Sequence, residues 1–80
     1  MKYVYLLKSI SDASKRYVGI SMDFRRRLEE HNAGKSQHTC KFRPWKPVVV
    51  IRFDEDEKAE LFEQYLKSGS GHAFANRHLW

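Results

Sequence analysis

The sequence predicts an α+β fold with the element order ββα-loop-βα. Three observations point there. Short runs rich in β-branched and aromatic residues recur at 3–7, 16–20 and 48–53. Two longer stretches, 24–32 and 54–67, carry apolar side chains at helical spacing. Clusters of Ser, Asp, Gly and Pro separate these segments. With 80 residues, 41% apolar and 31% charged, the composition is that of one globular domain over residues 1–80 rather than a disordered segment.

Tyr3-Val4-Tyr5-Leu6-Leu7 forms the first strand, and Arg16-Tyr17-Val18-Gly19-Ile20 its hairpin partner across the turn-rich residues 9–14. Ser21 or Asp23 then caps a helix with apolar positions Phe24 and Leu28, ending near Asn32-Ala33-Gly34. Residues 35–47 lack periodicity and contain Pro44 and Pro47, so a loop is expected. Residues 48–53 make a third strand, buried on both faces for part of its length. The acids Asp54 to Glu57 suit the N-terminus of a second helix that runs to about Lys67. Ser68-Gly69-Ser70-Gly71 is expected to stop it, leaving a short turn over 72–80 that packs Phe74 and Trp80.

Charge is unevenly distributed. The chain carries +5 overall, but residues 1–47 hold eleven Lys and Arg against four acids, and residues 48–80 four against six. Such asymmetry suits one cationic face directed at a polyanion, nucleic acid being the commonest; a merely basic surface is the alternative. Cys40 is the sole cysteine, which excludes an internal disulfide framework and fits a reducing compartment. No apolar run approaches a membrane span, and the N-terminus has no secretory pattern. A cytoplasmic protein without membrane contact is expected.

Helical geometry singles out a few charged residues. Arg27 lies about 60° to one side of Phe24, and His31 within about 20° of it, whereas Arg25 and Arg26 point outward. On the second helix Ala59, Phe62 and Leu66 form the inward stripe, and Glu63 sits about 40° from Ala59. A carboxylate at a core margin needs a cation or a metal. An Arg27–Glu63 ion pair bracing the two helices is the structural alternative to a reactive site. Tyr5 and Tyr17 put polar tips on otherwise apolar strands.

Tyr3-Val4-Tyr5, Tyr17-Val18-Gly19, Arg27 ten residues beyond Tyr17, Arg43-Pro44-Trp45 and the helical Glu63 together resemble the GIY-YIG nuclease superfamily. The likeness is greatest to its small stand-alone bacterial members, related to the N-terminal incision domain of the excision-repair nuclease. It implies a small three-stranded antiparallel sheet flanked by helices, and phosphodiester cleavage with one divalent cation. Carried over by position, the resemblance gives Tyr5, Tyr17, Arg27, His31 and Glu63 as catalytic residues, Glu63 as metal ligand and Gly19 as the glycine that keeps the groove clear. Tyr3 stands where the first motif has glycine.

The implied chemistry matches these residue types. Glu63 is a hard oxygen ligand for Mg²⁺ or Mn²⁺, whose other positions suit water and phosphate oxygens. Arg27 offers planar donors to phosphoryl oxygens. By resemblance Tyr5 is the general base and Tyr17 its orienting partner, with His31 as assistant or alternative base. Lys8, Lys15, Arg16, Lys41, Arg43 and Lys46 are the expected nucleic-acid contacts, directed at phosphates rather than bases, with Trp45 to stack or pack. DNA is the expected partner and RNA its alternative; repair or recombination is implied only by relatives. Two other classes compete, namely a non-catalytic basic binding module on the same fold and an adaptor docking through the acidic second helix. His38-Thr39-Cys40 fits no zinc spacing, and Cys40 has no base.

Overall fold

The computed structural model describes residues 1–80. Strand β1 (Lys2–Ser9) is central, paired antiparallel with β2 (Arg16–Ser21) on one side and β3 (Trp45–Phe53) on the other. Helix α1 (Phe24–Asn32) covers one face of this sheet; α2 (Asp56–Leu66) and α3 (Gly69–His78) cover the other. The alternation of β1 creates both cores. Tyr5 and Leu7 point toward α1, where Trp45, Phe24 and Leu28 join them. Val4 and Leu6 point the other way, against Ala59, Leu66 and Ala75.

The third strand departs from expectation in two ways. It begins at Trp45, inside the expected loop, and carries Pro47 because β3 is an edge strand with no further neighbour to receive an N–H. It is also not buried on both faces, since Val50 is 40% exposed. Leu6 pairs with Val49 but Leu7 with Pro47, which leaves Val48 as an inserted residue. That bulge reverses the facing of the strand, so Trp45 fills the α1 core while Val49 and Phe53 fill the α2 core. The rest of the expected loop contains a 3-10 turn, Cys40–Phe42.

Asp23 caps α1, its carboxylate accepting from the Arg26 N–H at 3.1 Å. The expected stop after α2 proves to be a start: Ser68 caps α3, a ten-residue helix where only a short turn was anticipated. Gly71 lies inside that helix, and a Cβ there would land on the Tyr65 carbonyl, so glycine is what allows α3 to close against the end of α2. No helix is long and apolar enough to cross a membrane.

Candidate active site

Tyr5 faces Gly19 across the β1–β2 ladder. A Cβ on residue 19 would collide with the Tyr5 ring and hydroxyl. Gly19 therefore makes room for a phenol lying over the neighbouring strand, not for the groove that the motif suggested.

The Tyr5 hydroxyl reaches His31 Nε2 at 3.1 Å, and His31 Nδ1 reaches Thr39 Oγ1 at 2.7 Å. Tyr5 is 1% exposed, and His31 and Thr39 are fully buried. Burial pushes the Tyr5 phenol above its ordinary range, while the Arg27 guanidinium beside it opposes the shift. Burial, then the nearby Arg27 charge, lowers the His31 pKa. A neutral imidazole has one donor and one acceptor nitrogen. Arginine accepts no hydrogen bond, so the phenol proton has His31 Nε2 as its acceptor. The imidazole proton then sits on Nδ1 and is donated to Thr39. Proton positions thus follow from the partners: Tyr5 donates to His31, and His31 to Thr39.

Tyr17 stands on β2 with its ring edge-on to His31, centroids 4.9 Å apart, and 6.3 Å from the Tyr5 ring. It is only partly buried, so between the two phenols it is the one open to water. Arg27 leaves α1 one turn before His31. Its Nη1 donates to Glu30 Oε1 at 2.6 Å, and this contact, with other charges of α1, holds the Glu30 carboxyl below the usual carboxylate range. The Arg27–Glu63 pair, the structural alternative to a reactive site, does not form. Glu63, its side chain 15% exposed, instead accepts from Lys67 at 2.5 Å, one turn along α2.

The fold therefore gathers Tyr5, Tyr17, Arg27 and His31 on the α1 face, and makes no hydrogen bond or ion pair between them and Glu63. No group of three His, Cys, Asp or Glu side chains forms a metal cage. A single hard carboxylate still suits a cation of the Mg²⁺ type, which keeps most of its positions for water and substrate oxygens. Glu63 is the donor that fits.

The expected phosphate contacts divide between the two faces. Lys15 lies over the Phe42 ring, 5.1 Å from its centroid, Arg43 lies against Gly34, and Lys41 is exposed on the 3-10 turn, all on the α1 side. Lys8 pairs with Arg16 and Lys46 across the three strands, which puts this row on the α2 and α3 side. Lys46 accordingly belongs to β3 and not to one loop with Lys41 and Arg43. Trp45 is 4% exposed and donates from Nε1 to the Thr39 carbonyl at 2.8 Å; it packs and does not stack on a ligand. Two residues of the site were missed from sequence. Glu30 is legible in hindsight as an acid at i,i+3 from Arg27. Thr39 had no signal, because it comes from an aperiodic segment.

A three-stranded sheet with a tyrosine on each hairpin strand and an arginine–histidine pair on the following helix defines a known class of catalytic domain. The family model for the GIY-YIG catalytic domain matches residues 1–76, and the chain belongs to this endonuclease family. Among relatives, it is 37% identical over 83 residues to the structure-specific endonuclease subunit SLX1 of Candida dubliniensis, covering 95% of this chain and 28% of that protein. It is 34% identical to the same subunit of Debaryomyces hansenii, covering 95% and 23%. The chain thus spans about a quarter of the length of these two proteins. A UPF0213 protein of Cupriavidus necator is 37% identical over 76 residues, 90% of this chain and 80% of that one. The solution NMR structure of a UPF0213 protein from Bacillus halodurans is similar with a TM-score of 0.57 at 28% identity, covering 96% and 84%.

Proposed function

We propose that this chain is a metal-dependent endonuclease that hydrolyses phosphodiester bonds of DNA at the edge of the sheet formed by β2. The observation that carries this is the convergence of Arg27, Tyr5, His31 and Tyr17, from three elements, on one face. A polar network inside so small a core is costly unless every member is satisfied, and perturbed groups of this kind concentrate at reactive sites. Tyr17 lies on the edge strand β2, against which α2 packs as it does against β1, and in this reading Glu63 approaches the cluster around that edge.

In this account Arg27, oriented by Glu30, donates to the non-bridging oxygens where charge accumulates. Tyr17 orients the attacking water, being the phenol with access to it. Tyr5 is assigned a supporting part rather than that of base: it is sealed from solvent, and its raised pKa disfavours loss of the proton. His31 and Thr39 hold Tyr5 in place against Arg27. Glu63 holds one Mg²⁺ or Mn²⁺, which when bound supplies charge neutralisation at the phosphate. By likeness to the structure-specific relatives, branched DNA is the first substrate class to try and RNA the second. Repair or recombination is the process in view and the cytoplasm the location.

The test is incubation of the purified chain with an end-labelled branched duplex in Mg²⁺ or Mn²⁺, with and without a chelator. Metal-dependent incision is expected. Binding without incision under every metal condition would instead favour a non-catalytic nucleic-acid-binding module. Binding to neither nucleic acid would leave the adaptor class.

A further inference from the structure

Below the β2 edge, on the face opposite Tyr17, α2 and α3 line an open-mouthed pocket of about 250 Å³. Its apolar wall is formed by Val18, Leu66 and Trp80, and its rim carries Arg16, Lys67 and His72. Arg16 is held there from two sides. Its Nη1 donates to Asn76 Oδ1 at 2.9 Å, and its guanidinium lies over the Trp80 ring, 4.9 Å from the centroid. No carboxylate pairs with Arg16, so its charge is not neutralised within the chain. Lys67 links the cavity to Glu63 through their ion pair.

We propose that this cavity binds one unpaired nucleotide of the nucleic-acid substrate, the base against Val18, Leu66 and Trp80 and its phosphate on Arg16 and His72. The inference rests on the endonuclease function proposed above and adds what that function lacks, a means of sensing strand structure. The chemistry of the occupant follows from the lining. An apolar wall with an indole suits a base face, whereas a fixed guanidinium without an acid suits a phosphate. A base inside a duplex is stacked on both faces and paired at its edge, so only an unpaired or extruded nucleotide can offer its base to this wall. Lys67 belongs to both sites, which places the unpaired nucleotide next to the carboxylate assigned to the metal.

Tryptophan fluorescence tests this without any cleavage. Trp45 is buried in the other core, so Trp80 is the indole that reports on the cavity. Titration of the full chain, without metal, with 5′-dAMP is expected to give a saturable change. Deoxyadenosine and inorganic phosphate should each bind at least tenfold more weakly. Arg16→Gln, checked for folding by circular dichroism, should weaken 5′-dAMP at least fivefold. No saturable change, phosphate binding as well as the nucleotide, or an unaltered affinity in folded Arg16→Gln would each overturn the proposal. Incision by a chain that binds no nucleotide would remove the cavity from the account and leave the nuclease intact; nucleotide binding by a chain that never incises would do the reverse.

Discussion

His31 is a buried imidazole flanked by two hydroxyls, and its protonation couples the site to folding. Its pKa in the folded chain lies below the ordinary 6.5. Below pH 6.5 the unfolded state therefore binds more protons than the folded one, and the contribution of His31 to stability, complete above that pH, is lost as pH falls through the folded value. The urea midpoint should drop between pH 7.5 and 5, and the drop should shrink in His31→Gln. Thr39→Val leaves the Nδ1–H without its acceptor and should cost about 1–3 kcal/mol. Ring-nitrogen NMR shifts of His31 should move as well, and Thr39→Ser should restore both. Gly19→Ala forces a methyl group into the Tyr5 ring and should cost about 1–3 kcal/mol by overpacking. Combined with Tyr5→Ala, its additional cost should largely vanish, the coupling expected of residues in contact.

At the level of elements, the strengths and failures of the sequence pattern have clear physical origins. Phe24, Leu28 and His31 fall on one side of a helical wheel, and α1 buries that side. The cap of α1 was legible as either Ser21 or Asp23, and the structure gives it to Asp23, while the Ser21 hydroxyl bonds the Asp23 backbone. The start of β3 was not legible, since Pro47 argues against a strand unless the strand is known to lie at an edge. Its bulge at Val48 depends on pairing with Leu6 and Leu7, a tertiary fact. Helix α3 was hidden because Ser and Gly look like a terminator, and only contact with Tyr65 explains why Gly71 belongs inside a helix. Ser68 holds that start by accepting from the Gly71 N–H at 3.2 Å. Ser68→Ala should therefore lower stability by about 1 kcal/mol, as read by chemical denaturation.

For the whole molecule, charge and site are arranged on two faces that share the β2 edge. Four of the five residues implied by the motifs assemble on the α1 side; helical spacing put Arg27 and His31 beside one seam, whereas the two tyrosines joined them only through the family resemblance. That Glu63 would pair with its own helix and not with Arg27 was not accessible, because a wheel gives direction about one axis and not the layer in which a helix lies. Phosphate contacts should make binding depend steeply on salt. Lys41→Ala should reduce the log–log salt slope by about 1, whereas Lys58→Ala, on the acidic α2, should leave it unchanged. The most direct test is the rate of metal-dependent nicking for the wild-type chain, Arg27→Ala, Arg26→Ala and Glu63→Ala, each confirmed as folded. The expected result is nicking by wild type and Arg26→Ala, a loss of roughly 10²-fold in Arg27→Ala, and none in Glu63→Ala. Undiminished nicking by Glu63→Ala, or equal losses for the two arginines, would contradict a single site built from both faces of the sheet.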